Sequence, residues 1–122
     1  LAQLADGIPD DNLIELLLDY LFGGLPDYDG VDKLILDILM TAKNRYPIAK
    51  QRLRDLFTYM ITLLTTDFQR LYPHNTLDKC RAVAYGVLCL AMSNESFVWI
   101  GMDTTHHTIA RQQAMYLIES LQ

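Results

Sequence analysis

The chain has 122 residues, of which 51% are hydrophobic and 20% are charged, and its formal net charge is −5. This length predicts one domain over residues 1–122, and the hydrophobic fraction excludes an intrinsically disordered chain. No apolar run reaches the roughly 18 uncharged residues of a membrane-spanning helix, so we expect no membrane partner. The chain begins at Leu1 and not at Met, which suggests that it is a piece of a longer protein.

Charge is distributed unevenly along the chain. Residues 1–42 carry nine acidic side chains and one basic one, whereas residues 43–81 carry eight basic and three acidic side chains. A net-acidic domain repels phosphate backbones at long range, which argues against direct DNA binding by this chain. The basic segment is typical of a solvated face, and the alternative is a patch that binds a phosphate or an acidic neighbouring domain; its members are Lys43, Arg45, Lys50, Arg52 and Arg54.

The first three of the five predicted helices have clear start or stop signals. Pro9 and the acidic residues after it begin the first helix, which ends before Gly23 and Gly24. The second helix is predicted from residue 31 to about residue 44, with one apolar face. The third begins at Pro47 and runs to Tyr72, because a proline follows there and stops it.

The last two helices carry few charges. Asn75 or Thr76 is expected to cap the fourth helix, and the thirteen residues between Arg81 and Glu95 are all uncharged. Such a helix is expected to be buried on all sides. Thr104 or Thr105 is the expected cap of the last helix, and no segment alternates with the period of a strand. The predicted fold class is therefore all-α, a five-helix bundle-like domain.

The two cysteines lie nine residues apart in the fourth helix. That spacing separates Cys80 and Cys89 by about 13 Å along a helix, whereas a disulfide needs less than about 7 Å between its Cα atoms. We therefore expect two free, buried thiols. Free thiols favour a reducing compartment and hence a cytoplasmic location.

No pattern typical of catalysis occurs in the sequence. It has no glycine-rich phosphate loop, no nucleophile elbow and no CxxC pair. Asp103 and His107 have the spacing of a ligand pair, but we interpret them as a solvated first helical turn. We expect no enzyme activity, no catalytic residue, no metal and no cofactor, and a small helical-bundle enzyme is the third-ranked alternative.

Two faces of the fourth helix are candidates for function. One face bears large, adaptable side chains and, together with the third helix, predicts a mostly apolar ligand pocket. The alternative is that these side chains belong to the hydrophobic core. The predicted lining of the pocket is Phe57, Met60, Leu64, Tyr85, Cys89, Met92 and Trp99. The other face is small and aliphatic, and the last helix has a similar one. We expect these two faces to meet their copies in a homodimer, through Ala84, Val87, Leu88, Ala91, Ala110, Ala114, Leu117, Ile118 and Leu121.

The run LILDILMTAKNRYPIAKQRLRDLFTYMITLL, residues 34–64, resembles the C-terminal domain of tetracycline-repressor-type (TetR family) regulators. There, an apolar helix that ends in an alanine and a basic residue meets a proline-containing junction and a long amphipathic helix. The runs RAVAYGVLCLAMSNESFVWIGMD, residues 81–103, and ARQQAMYLIESLQ, residues 110–122, are similar to the last two helices of that family. The resemblance covers residues 31–122, whereas residues 1–30 match nothing in the family.

The resemblance implies the effector-binding and homodimerisation domain of a bacterial transcriptional regulator. Its last two helices would form the dimer seam, and its middle helices would enclose a small, largely apolar effector. DNA would be bound only by the helix-turn-helix domain that precedes this region in the family. Effector identity does not transfer within such a family. The alternative is a helical adaptor that docks a partner protein through the same faces and has no ligand pocket.

Overall fold

The computed structural model describes residues 10–22, 38–103 and 105–122, apart from the side chains of Asp10, Asp11 and Trp99. Within these ranges the chain is helical and contains no strand, which confirms the predicted all-α class. Residues 38–42 are helical and belong to the predicted second helix, whose first part, residues 31–37, lies outside the described ranges. No helix in the described ranges combines the length and the apolar character needed to cross a bilayer.

Four longer helices follow one another along the chain. They are α1 (Asp10–Leu21), α2 (Pro47–Leu71), α3 (Leu77–Trp99) and α4 (His106–Glu119). Pro47 occupies the first turn of α2, where its missing N–H costs no hydrogen bond. Thr76 caps α3, because its hydroxyl oxygen accepts a hydrogen bond from the Lys79 N–H at 3.1 Å. The predicted starts of these two helices are confirmed.

The connection between α3 and α4 uses two local devices. Gly101 has a φ of 93°, a left-handed conformation that favours glycine and ends α3. Asp103 then accepts a hydrogen bond from the Thr105 N–H at 2.9 Å. Thr105 occupies the N-cap position of α4, as predicted, but its side chain makes no capping hydrogen bond. The alternative cap, Thr104, lies outside the described residues.

The hydrophobic core lies between α3 and its neighbours. α3 packs against both α2 and α4, and α1 packs against α4. The buried cluster draws on all four helices and on the residues that follow α1 and α4: Leu18, Phe22, Leu64, Phe68, Cys80, Val83, Ala84, Val87, Ala91, Ala114, Ile118 and Leu121. Small residues dominate where α3 meets α4, which lets the two helices approach closely.

One side of α3 remains open to solvent. Tyr85 is 60% exposed, and Cys89 is also exposed. The expectation that this helix is buried on all sides is therefore wrong, and so is the expectation of two buried thiols, since only Cys80 is buried. The physical reason is that α2 and α4 cover the side of α3 that carries its small and aliphatic residues.

A charged contact holds α1 against α4. The Arg111 guanidinium lies 2.6 Å from the Glu15 carboxylate and 3.0 Å from that of Asp19. The two carboxylates are four residues apart and therefore lie on one face of α1. The hydrogen bond with Glu15 and that with Asp19 raise the pKa of Arg111 above its ordinary value, although partial burial acts in the opposite direction.

Candidate functional site

The residues predicted to line a ligand pocket do not converge. Leu64 is buried in the core, whereas Tyr85 and Cys89 lie on the solvent side of α3. Phe57, Met60 and Met92 are partly buried, and the Trp99 side chain lies outside the described part of the chain. Among the described side chains of this set, α3 therefore places Tyr85 and Cys89 away from the buried Leu64 of α2.

A shallow groove of about 100 Å³ does lie between α2 and α3. Its lining consists of three threonines, two aliphatic residues and one arginine: Ile61, Thr62, Thr65, Thr66, Leu77 and Arg81. The hydroxyls of Thr62 and Thr65 donate to carbonyl oxygens of their own helix, at 2.9 and 2.6 Å. Pockets for small organic ligands typically enclose about 300–1,000 Å³, so this groove takes only a few atoms.

The small aliphatic faces predicted to form a dimer seam lie inside a single chain. Seven of the nine residues are at most 4% exposed: Ala84, Val87, Leu88, Ala91, Ala114, Ile118 and Leu121. Ala110 packs partly buried against the core, and Leu117 is 36% exposed. The prediction of a dimer seam through these seven residues is wrong, because they are already buried within one chain. They have almost no solvent-accessible surface left for a second subunit to cover.

The opposite faces of the same two helices form a continuous surface of uncharged side chains, and it is bordered at one end by two charged residues. These are Lys79, whose Nζ lies 2.9 Å from the Ser120 carbonyl oxygen, and the exposed Asp78. We call the uncharged surface the outer surface; on α3 it consists of Ala82, Tyr85, Cys89, Ser93 and Phe97, and on α4 of Ile109, Gln113, Tyr116, Leu117 and Ser120. All ten side chains are exposed. Helical spacing places each set of five within about one third of its helix circumference. Leu117 joins the two sets, since it packs over Gly86 of α3.

Aromatic and aliphatic side chains give the outer surface its character. Tyr85, Ile109 and Tyr116 are 60%, 56% and 55% exposed, and Phe97 is 48% exposed. Beside Tyr85, the Cys89 thiol lies one helical turn further along α3. A hydrogen bond with that thiol raises the pKa of Tyr85 above its ordinary 10.0, and charge interaction with Cys89 and partial burial act in the same direction.

Asp103 and His107, which we interpret from the sequence as a solvated first helical turn, make separate contacts at the start of α4. The Asp103 carboxylate accepts the Thr105 N–H, and this bond holds the pKa of Asp103 below its ordinary 3.8. The His107 Nδ1 instead lies 2.5 Å from the Asn94 Nδ2. Among the described residues, no group of three or more histidine, cysteine, aspartate or glutamate side chains could hold a metal ion.

The contact between Asn94 and His107 was not predicted. Asn94 is only 5% exposed and lies near the end of the uncharged run of α3. An asparagine in such a run was the available signal, because a buried amide needs a polar partner on a neighbouring helix. The pair ties the second half of α3 to the first turn of α4.

The basic segment around the start of α2 is exposed. Arg45, Lys50, Arg52 and Arg54 are exposed, and Lys43 is partly buried with its Nζ 3.5 Å from the Met40 carbonyl oxygen. Exposed apolar and aromatic residues accompany them: Tyr46, Ile48, Leu56 and Tyr59. The prediction of a solvated face covers the charges but does not explain the four large apolar side chains beside them.

Comparisons of the chain with protein-family models, with characterised proteins and with solved structures return no match. The candidate surfaces therefore have to be interpreted from their own chemistry.

Proposed function

We propose that this chain is the homodimerisation domain of a TetR-type transcriptional regulator, and that two copies associate through the outer surface. The observation that supports the proposal is that ten exposed, uncharged residues on α3 and α4 adjoin one another in one surface. Exposed apolar patches of this kind mark interaction sites in proteins that are otherwise polar outside. The family resemblance of residues 31–122 supplies the regulatory context.

A second copy is the occupant that we propose for the outer surface. Each copy has a net charge of −5, which disfavours self-association at long range, so a dimer needs a contact whose own side chains add no further like-charge repulsion. The outer surface meets that condition. In a two-fold dimer, α3 and α4 of one subunit would pack against the same helices of the other, and Tyr85 and Tyr116 would supply aromatic contact area.

Effector binding belongs to the same proposal and has its place between α2 and α3. The groove there holds only a few atoms, so a small, largely apolar effector would have to separate these two helices. Separation would move α2 relative to the dimer and so change the spacing of the DNA-binding domains, which is allostery through unequal affinity for two states. In this role the domain would act in the cytoplasm and would catalyse no reaction.

A helical adaptor without a ligand pocket is the second candidate. The specific observation in its favour is that the predicted pocket residues do not converge, with Leu64 in the core and Tyr85 in solvent. An adaptor would use the outer surface for a different protein. The two candidates therefore share a surface and differ in its occupant.

Sedimentation velocity over a range of protein concentrations distinguishes them. The regulator proposal expects a species of twice the 14.0 kDa chain mass. Tyr85→Glu and Tyr116→Glu each place a charge on the outer surface and should give monomers. The matched control is Thr62→Glu, which places the same charge on an exposed position of α2. A wild-type protein that stays monomeric at every concentration, or a dimer that survives both outer-surface variants, contradicts the proposal.

A further inference from the structure

The first three turns of α2 form a second exposed surface that the dimer proposal does not use. Ile48 is 59% exposed, Tyr59 is 58% exposed, and Arg52 between them is also exposed. Leu56 is 36% exposed. The spacing of these four residues is four, four and three positions, so they lie on one face of the helix. We call this face, together with the preceding Arg45 and Tyr46, the basic end of α2.

The electrostatic character of this end differs from that of the rest of the chain. Residues 43–54 contain five basic residues and no acidic one, while the whole chain has a net charge of −5. Arg45 and Arg52 belong to the basic end, whereas helical spacing places Lys50 and Arg54 on other sides of α2. Asp55 is the first acidic residue after this run and lies at the edge of the face. A positive patch on an acidic protein concentrates its field locally and attracts a negatively charged partner.

The exposed apolar side chains decide which class of anion fits. Tyrosine and arginine are among the residues most enriched at positions that dominate protein–protein binding energies, and Ile48 adds an aliphatic anchor. A nucleic-acid backbone offers phosphates but no apolar groups to cover Ile48 and Leu56. The net negative charge of the chain also disfavours a long polyanion. An acidic protein segment supplies both carboxylates and apolar side chains.

We propose that the basic end of α2 docks an acidic protein segment that carries apolar side chains. Arg45 and Arg52 pair with its carboxylates, and Ile48 and Tyr59 cover its apolar groups. The argument is one of charge complementarity combined with apolar contact. This surface lies on α2, whereas the outer surface lies on α3 and α4, so the two proposals stand or fall separately.

Selection from a phage-displayed library of random peptides about twelve residues long tests the proposal, since such peptides span a three-turn helical groove or face. Peptides enriched on the wild-type protein should be net acidic and should contain apolar residues. The most enriched peptide is then labelled, and its fluorescence anisotropy is titrated with wild-type protein and with an Arg45→Glu/Arg52→Glu variant. Charge reversal should weaken binding by at least about tenfold.

The control is Arg70→Glu, which reverses an exposed arginine at the far end of the same helix, where it lies 4.0 Å from Asp67. That variant should bind the peptide as the wild type does. Ile48→Ser and Tyr59→Ser test the apolar contribution and should each weaken binding several-fold while leaving the circular dichroism spectrum unchanged. They also keep the proposal testable if charge reversal impairs folding.

Five outcomes overturn the proposal. The library yields no enriched peptide, or the enriched peptides are not acidic. Peptide binding is unaffected by Arg45→Glu/Arg52→Glu, or it is weakened equally by Arg70→Glu. A short DNA duplex or phosphatidylserine-containing vesicles bind the wild type more tightly than the peptide does, in a manner that Arg52→Glu abolishes; the surface would then be a nucleic-acid or lipid site.

Discussion

Leu117 of α4 lies directly over Gly86 of α3, and a Cβ atom added to Gly86 would be 3.1 Å from the Leu117 Cδ1. The missing side chain lets α3 and α4 approach closely at the middle of their contact. The same contact joins the two halves of the outer surface. The geometry of that surface therefore depends on the size of one residue.

Substitution of Gly86 should raise the free energy of unfolding when the new side chain is small and lower it when the new side chain is large. Alanine is about 0.5–1 kcal/mol more favourable than glycine inside a helix. The Leu117 side chain is 36% exposed, so it can shift by a few tenths of an ångström to make room for the added methyl group. We expect Gly86→Ala to raise the free energy of unfolding slightly. Gly86→Leu should lower it by about 1–3 kcal/mol, because it forces the helices apart. Urea unfolding measures both, and a destabilised Gly86→Ala contradicts the expected mobility of Leu117.

The contact between Asn94 and His107 should contribute to the free energy of unfolding, because loss of either partner leaves the other polar group at least partly buried without a hydrogen bond. Asn94→Ala removes one partner and should lower the free energy of unfolding by about 1–3 kcal/mol. Replacing both partners by apolar groups of similar shape, Asn94→Leu with His107→Phe, should restore part of the loss. Urea unfolding of the wild type, both single variants and the double variant gives the interaction free energy between the two residues. Additive losses would show that the 2.5 Å contact does not contribute as a pair.

Helix boundaries were predictable from local signals. Pro47 begins α2, and Thr76 caps α3, because both act within one turn of the chain. The assignment of helix faces was less predictable. Nearly every position in the middle of α3 is uncharged, so periodicity does not indicate which side faces α2 and α4.

The small aliphatic stripe through Ala84 and Ala91 indicates a packing face, but sequence alone does not distinguish a neighbouring helix of the same chain from one of a second subunit. The outer surface was missed for the same reason. Tyr85 and Cys89 belong to a stripe of large, adaptable side chains that predicts a pocket wall, whereas the structure exposes both residues. Their exposure depends on where α2 and α4 pack, which is information that only the tertiary structure holds.

Arg111 should contribute modestly to stability and more clearly to the docking of α1. Its side chain is 31% exposed and contacts Glu15 and Asp19, which are more exposed. Exposed ion pairs contribute about 0–1 kcal/mol each, so Arg111→Ala should cost about 1 kcal/mol. Hydrogen exchange should increase throughout α1 while α3 keeps its protection. The control Arg70→Ala removes an arginine from α2 and should leave α1 unchanged; faster exchange there in both variants contradicts a specific role of Arg111.

Asp103 should make the start of α4 sensitive to acid. The bond to the Thr105 N–H lowers the pKa of Asp103 below 3.8, so its stabilising contribution is complete above pH 3.8 and is lost as the pH falls through the lowered value. Asp103→Asn should remove the part of the pH dependence of the free energy of unfolding that Asp103 causes. The midpoint of urea unfolding, followed from neutral pH to below pH 3.8, measures it. Asp55→Asn, which removes an exposed carboxyl from α2, should retain the acid dependence seen in the wild type.

Cys89 reports on the outer surface, because it is the exposed one of the two free cysteines and lies within the proposed dimer contact. With a maleimide in large excess, its modification should be fast in dilute protein and should slow as the protein concentration rises and dimers cover the thiol. Tyr116→Glu should keep the rate fast at every concentration. Cys89→Ser leaves only the buried Cys80, and this variant should react only after unfolding, which verifies the assignment of the fast phase. A Cys89 rate that does not change with protein concentration means that no partner copy covers this face, and it would favour the adaptor over the dimer.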